Sequence, residues 1–196
     1  MVVGQVAGVE ALAALGAVDF LMWVVTGIST GLTQGFSIQL SQYYGAKDFE
    51  NLRKSLAHSY RLTAFIAAGV LILSQSFASL VLTGLHTPSN IIGMSLLYLR
   101  IIFCGIPATA AYNMFASALR AMGNSKTPLT AMIIASVLNV SLDILFVAGL
   151  GWGVAGAAIA TVIAQSFSAV YCFLILRRID IVHLTRADSV SYTHLR

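Results

Sequence analysis

The chain has 196 residues, of which 58% are hydrophobic and only 9% charged, with a mean hydropathy of +0.87. A soluble globular domain carries about 25% charged residues, so this composition excludes one and predicts an integral membrane protein. The net charge of +4 would suggest nucleic acid in a soluble protein, but in a membrane protein the positive-inside effect accounts for it.

In chain order, residues 1–13 are mixed sequence, with Gly4, Gly8 and Glu10 among small apolar residues, and read as a loop leading into a helix. No basic segment follows Met1, so no cleavable signal is read there. From 12 to 40 the chain is uncharged apart from Asp19, which the pattern places near an interface. About 20 apolar residues cross the hydrocarbon core, so this is the first expected span. Gly27, Gly31 and Gly35 recur along it at four-residue spacing, a small-residue stripe that lets another helix approach closely. A direct place on a substrate path is the other reading of that stripe.

Residues 41–61 interrupt the apolar run with Lys47, Asp48, Glu50, Arg53, Lys54 and Arg61. Gly45 should end the first helix, and Asp48 or Glu50 should begin a short amphipathic connector. A second span is expected over 62–82. The turn 83–90 has Gly84 and Pro88 as punctuation, and His86 within it reads as a solvated loop residue. The third span, 91–119, contains Tyr98, Arg100, Pro107 and Asn113. Pro107 removes a backbone hydrogen bond and predicts a kink, whereas Arg100 can snorkel to an interface along its stem. The basic turn 120–128 offers Gly123 as helix stop and Pro128 as helix start.

The fourth span, 129–150, holds Ser136, Asn139 and Asp143. Asn139 and Asp143 are one helical turn apart and share a face, which Ser136 extends. An ionisable group at the centre of a spanning helix costs roughly 2.5–3.5 kcal/mol even on the lenient insertion scale, so Asp143 reads as a coupling residue. The plainer alternative is helix–helix glue, with Asp143 bonded to Asn139 or to a neighbouring helix. Gly149, Gly151 and Gly153 surround Trp152 in a short turn. In the fifth span, 154–176, Ala157, Thr161 and Gln165 continue a stripe from Gly153, and Arg177 and Arg178 stop it.

The basic connectors alternate with uncharged ones, so 41–61, 120–128 and the stretch from 177 onward are expected on the cytoplasmic side. That places the N-terminus outside without a signal sequence, and predicts at least one further helix upstream. The tail 181–196 loses the periodicity of the rest and reads as disordered or non-native. Cys104 and Cys172 lie inside apolar runs without metal-ligand spacing and read as small hydrophobes. A membrane-embedded enzyme is disfavoured: neither GxSxG nor HExxH occurs, and His58, His86, His183 and His194 all fall outside mid-span positions.

Several motifs occur together in a fixed order: Glu10-Ala11-Leu12-Ala13-Ala14-Leu15-Gly16, Gly31-Leu32-Thr33-Gln34-Gly35, and Gln42-Tyr43-Tyr44-Gly45-Ala46-Lys47-Asp48. After them come Tyr98-Leu99-Arg100-Ile101, the run Leu119 to Pro128, Leu138-Asn139-Val140-Ser141-Leu142-Asp143, and Gly153 to Thr161. Over roughly residues 4–180 this set resembles the multidrug and toxic compound extrusion (MATE) family of cation-coupled efflux transporters, in particular its DinF-like branch. The resemblance implies an all-α fold of twelve helices in two halves, of which 1–180 looks like helices two to six of the N-terminal half. The first helix, with the family's other key carboxylate, and the whole second half would lie elsewhere.

It also implies an ion-coupling or substrate site at Tyr98, Asn113, Asn139, Asp143 and Thr161, with H+ or Na+ as the coupling ion and no other cofactor. Ionised Asp143 with oxygens from its neighbours would suit Na+, the one metal this site would take; a carboxylate away from water would equally suit proton exchange. Pro107 would serve as hinge, and Gly27, Gly31 and Gly35 as a sliding surface. The implied partners are a small amphipathic or cationic substrate, the lipid bilayer of the cell membrane and the remainder of the same transporter, with no nucleic acid. The implied function is antiport of drugs against the coupling ion. Runner-up readings are a lipid-linked oligosaccharide flippase of the same superfamily and a non-transporting membrane subunit.

Overall fold

A computed structural model describes residues 9–179, so residues 1–8 and 180–196, which include the tail expected over 181–196, lie outside the described residues. The helices are α1 (Val9–Gly45), α2 (Phe49–Gly84), α3 (Ile92–Cys104), α4 (Ile106–Ala121), α5 (Lys126–Asp143) and α6 (Gly153–Arg177). A π-helical segment, Ile144–Gly149, continues α5. By length and composition α2, α5 with its π segment, and α6 can each cross a membrane, and α3 with α4 makes a fourth span bent by 43°. The first expected span, 12–40, lies inside α1.

The turns form where the local chemistry directs. α1 ends at Gly45, and Lys47 takes a left-handed φ of 57°. Asp48 then caps α2: its Oδ1 accepts from the Asn51 backbone N–H at 3.1 Å, and its Oδ2 from the Asn51 side chain at 2.7 Å. The expected amphipathic connector is not a separate element. Asp48 caps the helix so early that residues 49–61 form the first turns of a single 36-residue α2. At the other basic turn, Gly123 adopts φ 82°, and its N–H and that of Asn124 donate to the Arg120 and Leu119 carbonyls. Asn124 Oδ1 accepts from Thr127 N–H at 3.1 Å, starting α5.

The bend between α3 and α4 follows from Pro107 and Gly105 together. Pro107 stands in the first turn of α4, so it denies an N–H to the carbonyl four residues back and its ring crowds that carbonyl. Gly105 allows the break to press on α6, since a Cβ there would lie 2.8 Å from Val162 Cγ2. The expected kink is present, and the glycine is the part that the proline rule alone omits.

α4 sits centrally, packed on α1, α2 and α6, while α5 lies along α6. At the end that carries the basic connectors, Leu40, Leu52, Leu56, Met114, Leu119, Cys172 and Leu176 form one buried cluster. Deeper in the bundle, Val18, Leu82, Leu99, Phe103 and Ile106 form a second. Large apolar side chains elsewhere face outward, with Trp23 81% and Phe65 78% exposed. Such surface is incompatible with water and suits lipid tails or further apolar helices. On the outer surface of the bundle a polar side chain ties two helices together: Gln75 on α2 donates to the Arg100 carbonyl at 2.9 Å and to Cys104 Sγ at 3.2 Å on α3.

The packing expected of Gly27, Gly31 and Gly35 is not made by the described residues. Nothing lies within 4 Å of a Cβ placed at any of them. α1 meets its neighbours through Val18, Met22, Val25, Phe36 and Leu40, which lie on the opposite side of the helix.

Candidate ion-coupling site

The polar stripes of α5 and α6 face each other. Asn139 Nδ2 donates to Thr161 Oγ1 at 3.4 Å, and the Thr161 hydroxyl donates in turn to the Ala157 carbonyl at 3.0 Å. Ser136, Asn139, Thr161, Gln165, Ser168 and Tyr112 line a cavity of about 240 Å³ beside this bond. Buried Ser168 Oγ stands between two acceptors there, the Ala164 carbonyl of its own helix at 3.3 Å and the Ala131 carbonyl across the interface at 3.4 Å. Tyr112 OH donates to the Pro128 carbonyl at 3.4 Å, tying α4 to α5. Ser136, Thr161 and Gln165, read from two separate spans, thus share one cavity.

Asp143 lies one turn beyond Asn139. Its Oδ1 is shielded from solvent, yet accepts no hydrogen bond among the described residues. A carboxylate oxygen in that state is expensive, because the group retains its desolvation cost without a compensating donor. The π segment begins at the next residue, Ile144, and the Leu150 N–H reaches back five residues to the Leu145 carbonyl. Single π-helical turns concentrate at functional sites, since they persist only where the surroundings stabilise them. Phe146 and Trp152 stack with centroids 5.1 Å apart behind this turn, and Gly156 lets α6 close on them: a Cβ there would be 3.0 Å from Phe146 Cβ and 3.1 Å from Trp152 Cβ.

Tyr98, half-buried on α3, packs against Val147, Val154 and Ala157 of the α5–α6 corner. It is within electrostatic reach of Asp143 and also of Asp19 on α1. Leu15, one turn before Asp19, packs against the same cluster, so α1 delivers Asp19 toward this corner. Asp19 itself is exposed on α1, and it is the approach of α1 to α3 that puts it within electrostatic reach of Tyr98. Asn113 is half-buried on α4 next to Tyr112, and among the described residues no hydrogen bond joins it to Asn139 or Thr161. The five expected residues therefore separate into a bonded pair, Asn139–Thr161, a neighbouring Asp143–Tyr98 corner, and Asn113 apart.

Among the described residues, three helices long and apolar enough to cross a membrane, or four with the bent α3–α4 pair taken as one span, carry polar side chains between them and define a multi-pass helical membrane protein. The MatE family model matches residues 1–145. Among curated relatives, the probable multidrug resistance protein YoeA of Bacillus subtilis (strain 168) is 32% identical over 180 residues, covering 90% of this chain and 38% of that protein. DNA damage-inducible protein F of Escherichia coli (strain K12) is 28% identical over 151 residues, covering 77% and 31%. A crystal structure of MATE in the bent conformation superposes with a TM-score of 0.92 at 25% identity, covering 98% of this chain and 43% of that one. The chain belongs to the MATE family of multidrug efflux transporters, and it spans about two fifths of the length of YoeA.

Proposed function

We propose that residues 9–179 form most of the N-terminal half of a cation-coupled antiporter that exports drugs or organic cations by alternating access. The observation that carries this reading is the unsatisfied Asp143 oxygen, set between the Asn139–Thr161 bond and a π turn. Asp143 is the ion-binding group in this reading, Asn139 and Thr161 orient the α5–α6 interface beside it, and Tyr98 supplies a hydroxyl from α3. H+ or Na+ binding would satisfy the free oxygen and change which packing of α5 on α6 is favoured. Pro107 and Gly105 would take up the motion as a bend. The exposed Gly27, Gly31 and Gly35 face would be covered by the rest of the transporter. In the full-length protein, Asp143→Asn is expected to abolish drug resistance while membrane levels stay unchanged. Efflux retained by that variant would refute the assignment.

A further inference from the structure

The π turn after Asp143 answers a problem of phase between α5 and α6. The residues of α5 and its π continuation that are turned inward, Ala131, Ala135, Asn139, Asp143 and Val147, are buried or half-buried and recur every four positions. Three of them are fixed against α6. The Ala131 carbonyl lies 3.4 Å from Ser168 Oγ, Asn139 Nδ2 donates to Thr161 Oγ1 at 3.4 Å, and Val147 packs on Val154 and Ala157. An α-helix repeats every 3.6 residues, so an unbroken one would set Val147 about 80° round from Asn139 and about 160° from Ala131. The two ends of the stripe would then stand on nearly opposite sides of α5, and could not both meet one straight neighbour.

The mismatch is taken up where the hydrogen-bond ladder widens. Ile144–Gly149 is π-helical, and the Leu150 N–H donates to the Leu145 carbonyl, five residues back, at 2.9 Å. A turn closed over five residues in place of four holds one residue in excess, which returns up to about 100° of phase. Local contacts hold the wider turn. The Phe146 and Trp152 rings stack at 5.1 Å, and the Trp152 N–H donates to the Phe146 carbonyl at 2.9 Å. Gly156 brings α6 against the Phe146 backbone, since a Cβ there would lie 3.2 Å from the Phe146 carbonyl carbon. Val147, inside the widened turn, is 1% exposed.

We infer that the π turn is a phase correction, and that Phe146, Trp152 and Gly156 are positioning residues. By holding one excess residue in the turn they keep Asn139 on Thr161, with Asp143 one turn further along the same face, while Val147 stays packed on α6. That the positioned groups couple an ion rests on the antiport reading above; the phase correction does not. Converted to a plain α-helix with no residue removed, the segment would turn Asn139 by about 100° and carry its Cα about 3.5 Å round a cylinder of about 2.3 Å radius. A disulfide needs Cβ atoms about 3.5–4.5 Å apart, so a displacement of that size is decisive.

The test is disulfide formation between Asn139→Cys and Thr161→Cys in the full-length transporter, under copper phenanthroline oxidation with every other cysteine replaced by serine. The native segment should give the disulfide. Deleting Ile144, which is exposed, should keep it, because Asn139 and Val147 are then seven residues apart and within about 20° of two full α-turns. Inserting one alanine after Ile144 should abolish it, since the turn must then hold two excess residues. Trp152→Ala should abolish it as well, and Trp152→Phe, which keeps a ring to stack, should retain it. Deleting Ile144 in the Trp152→Ala chain should restore the disulfide, because a helix without an excess residue needs no stack, whereas a chain that Trp152→Ala had merely misfolded would not be repaired by a further deletion. Absence of the disulfide from the native segment would overturn the inference. So would its loss on deleting Ile144, its survival after the insertion or in Trp152→Ala, or no recovery in the combined variant. None of these outcomes requires transport, so they are separate from the Asp143→Asn efflux result that tests the antiport reading.

Discussion

The bend between α3 and α4 is tested most directly at Gly105. Its backbone, at φ −80° and ψ −10°, is open to any residue, so alanine there meets no conformational penalty. On propensity alone Gly105→Ala should stabilise the protein by about 0.4–1 kcal/mol, through a less flexible unfolded chain. The added methyl, however, would lie 2.8 Å from Val162 Cγ2, 3.0 Å from the Ile102 carbonyl oxygen and 3.4 Å from Val162 Cγ1. Overpacking of this kind costs about 1–3 kcal/mol, so the steric effect should win and leave a net loss of about 0.5–2 kcal/mol. Val162→Ala removes both clashing γ carbons, and combining the substitutions should cost less than their sum by at least about 0.5 kcal/mol. Full relief is not expected, because the Ile102 oxygen is backbone. The assay is an unfolding titration of the full-length transporter in detergent for the wild type, both single variants and the pair. A Gly105→Ala protein as stable as wild type, or strict additivity in the pair, would refute the close-approach account.

At the bonded pair, Thr161→Val removes the hydroxyl that accepts from Asn139 while conserving shape. Interhelical hydrogen bonds in membranes average about 0.6 kcal/mol and reach about 1.7 kcal/mol, so a loss in that range is expected from the same titration; no loss in either Thr161→Val or Asn139→Leu would show that the bond contributes nothing. At the start of α2, the Asn51 side chain and then its backbone N–H hold the Asp48 carboxyl below its ordinary pKa. A lowered folded-state pKa means the cap is fully present above the ordinary carboxylate value and is lost as pH falls through the lower, folded one. Intrinsic-rate-corrected hydrogen exchange of the first-turn amides of α2 should therefore accelerate on acidification. In Asp48→Asn, which retains an acceptor but cannot titrate, it should not, and identical pH profiles would remove Asp48 from that role.

The class of the molecule was legible in composition and periodicity, because lipid requires long apolar stretches whose backbone bonds are all internal. Helix ends at Gly45 and Gly123 and the break near Pro107 were legible too, since left-handed turns and missing N–H groups are local properties. The polar stripes of Ser136–Asn139–Asp143 and Thr161–Gln165 stood out because such groups are costly in an apolar run. What the one-dimensional pattern could not hold is which faces meet. That Asn139 bonds Thr161 across α5 and α6, that α1 carries Asp19 toward Tyr98, and that Gly27, Gly31 and Gly35 face away from the described helices all depend on how α1 and α6 pack around the bundle. The π turn after Asp143 is equally invisible in the sequence, because it is sustained by the stacked Phe146 and Trp152 and the close approach of Gly156. Residue type and spacing determined that Asp143 lies within a membrane span; only tertiary packing decided that one of its oxygens is buried without a donor.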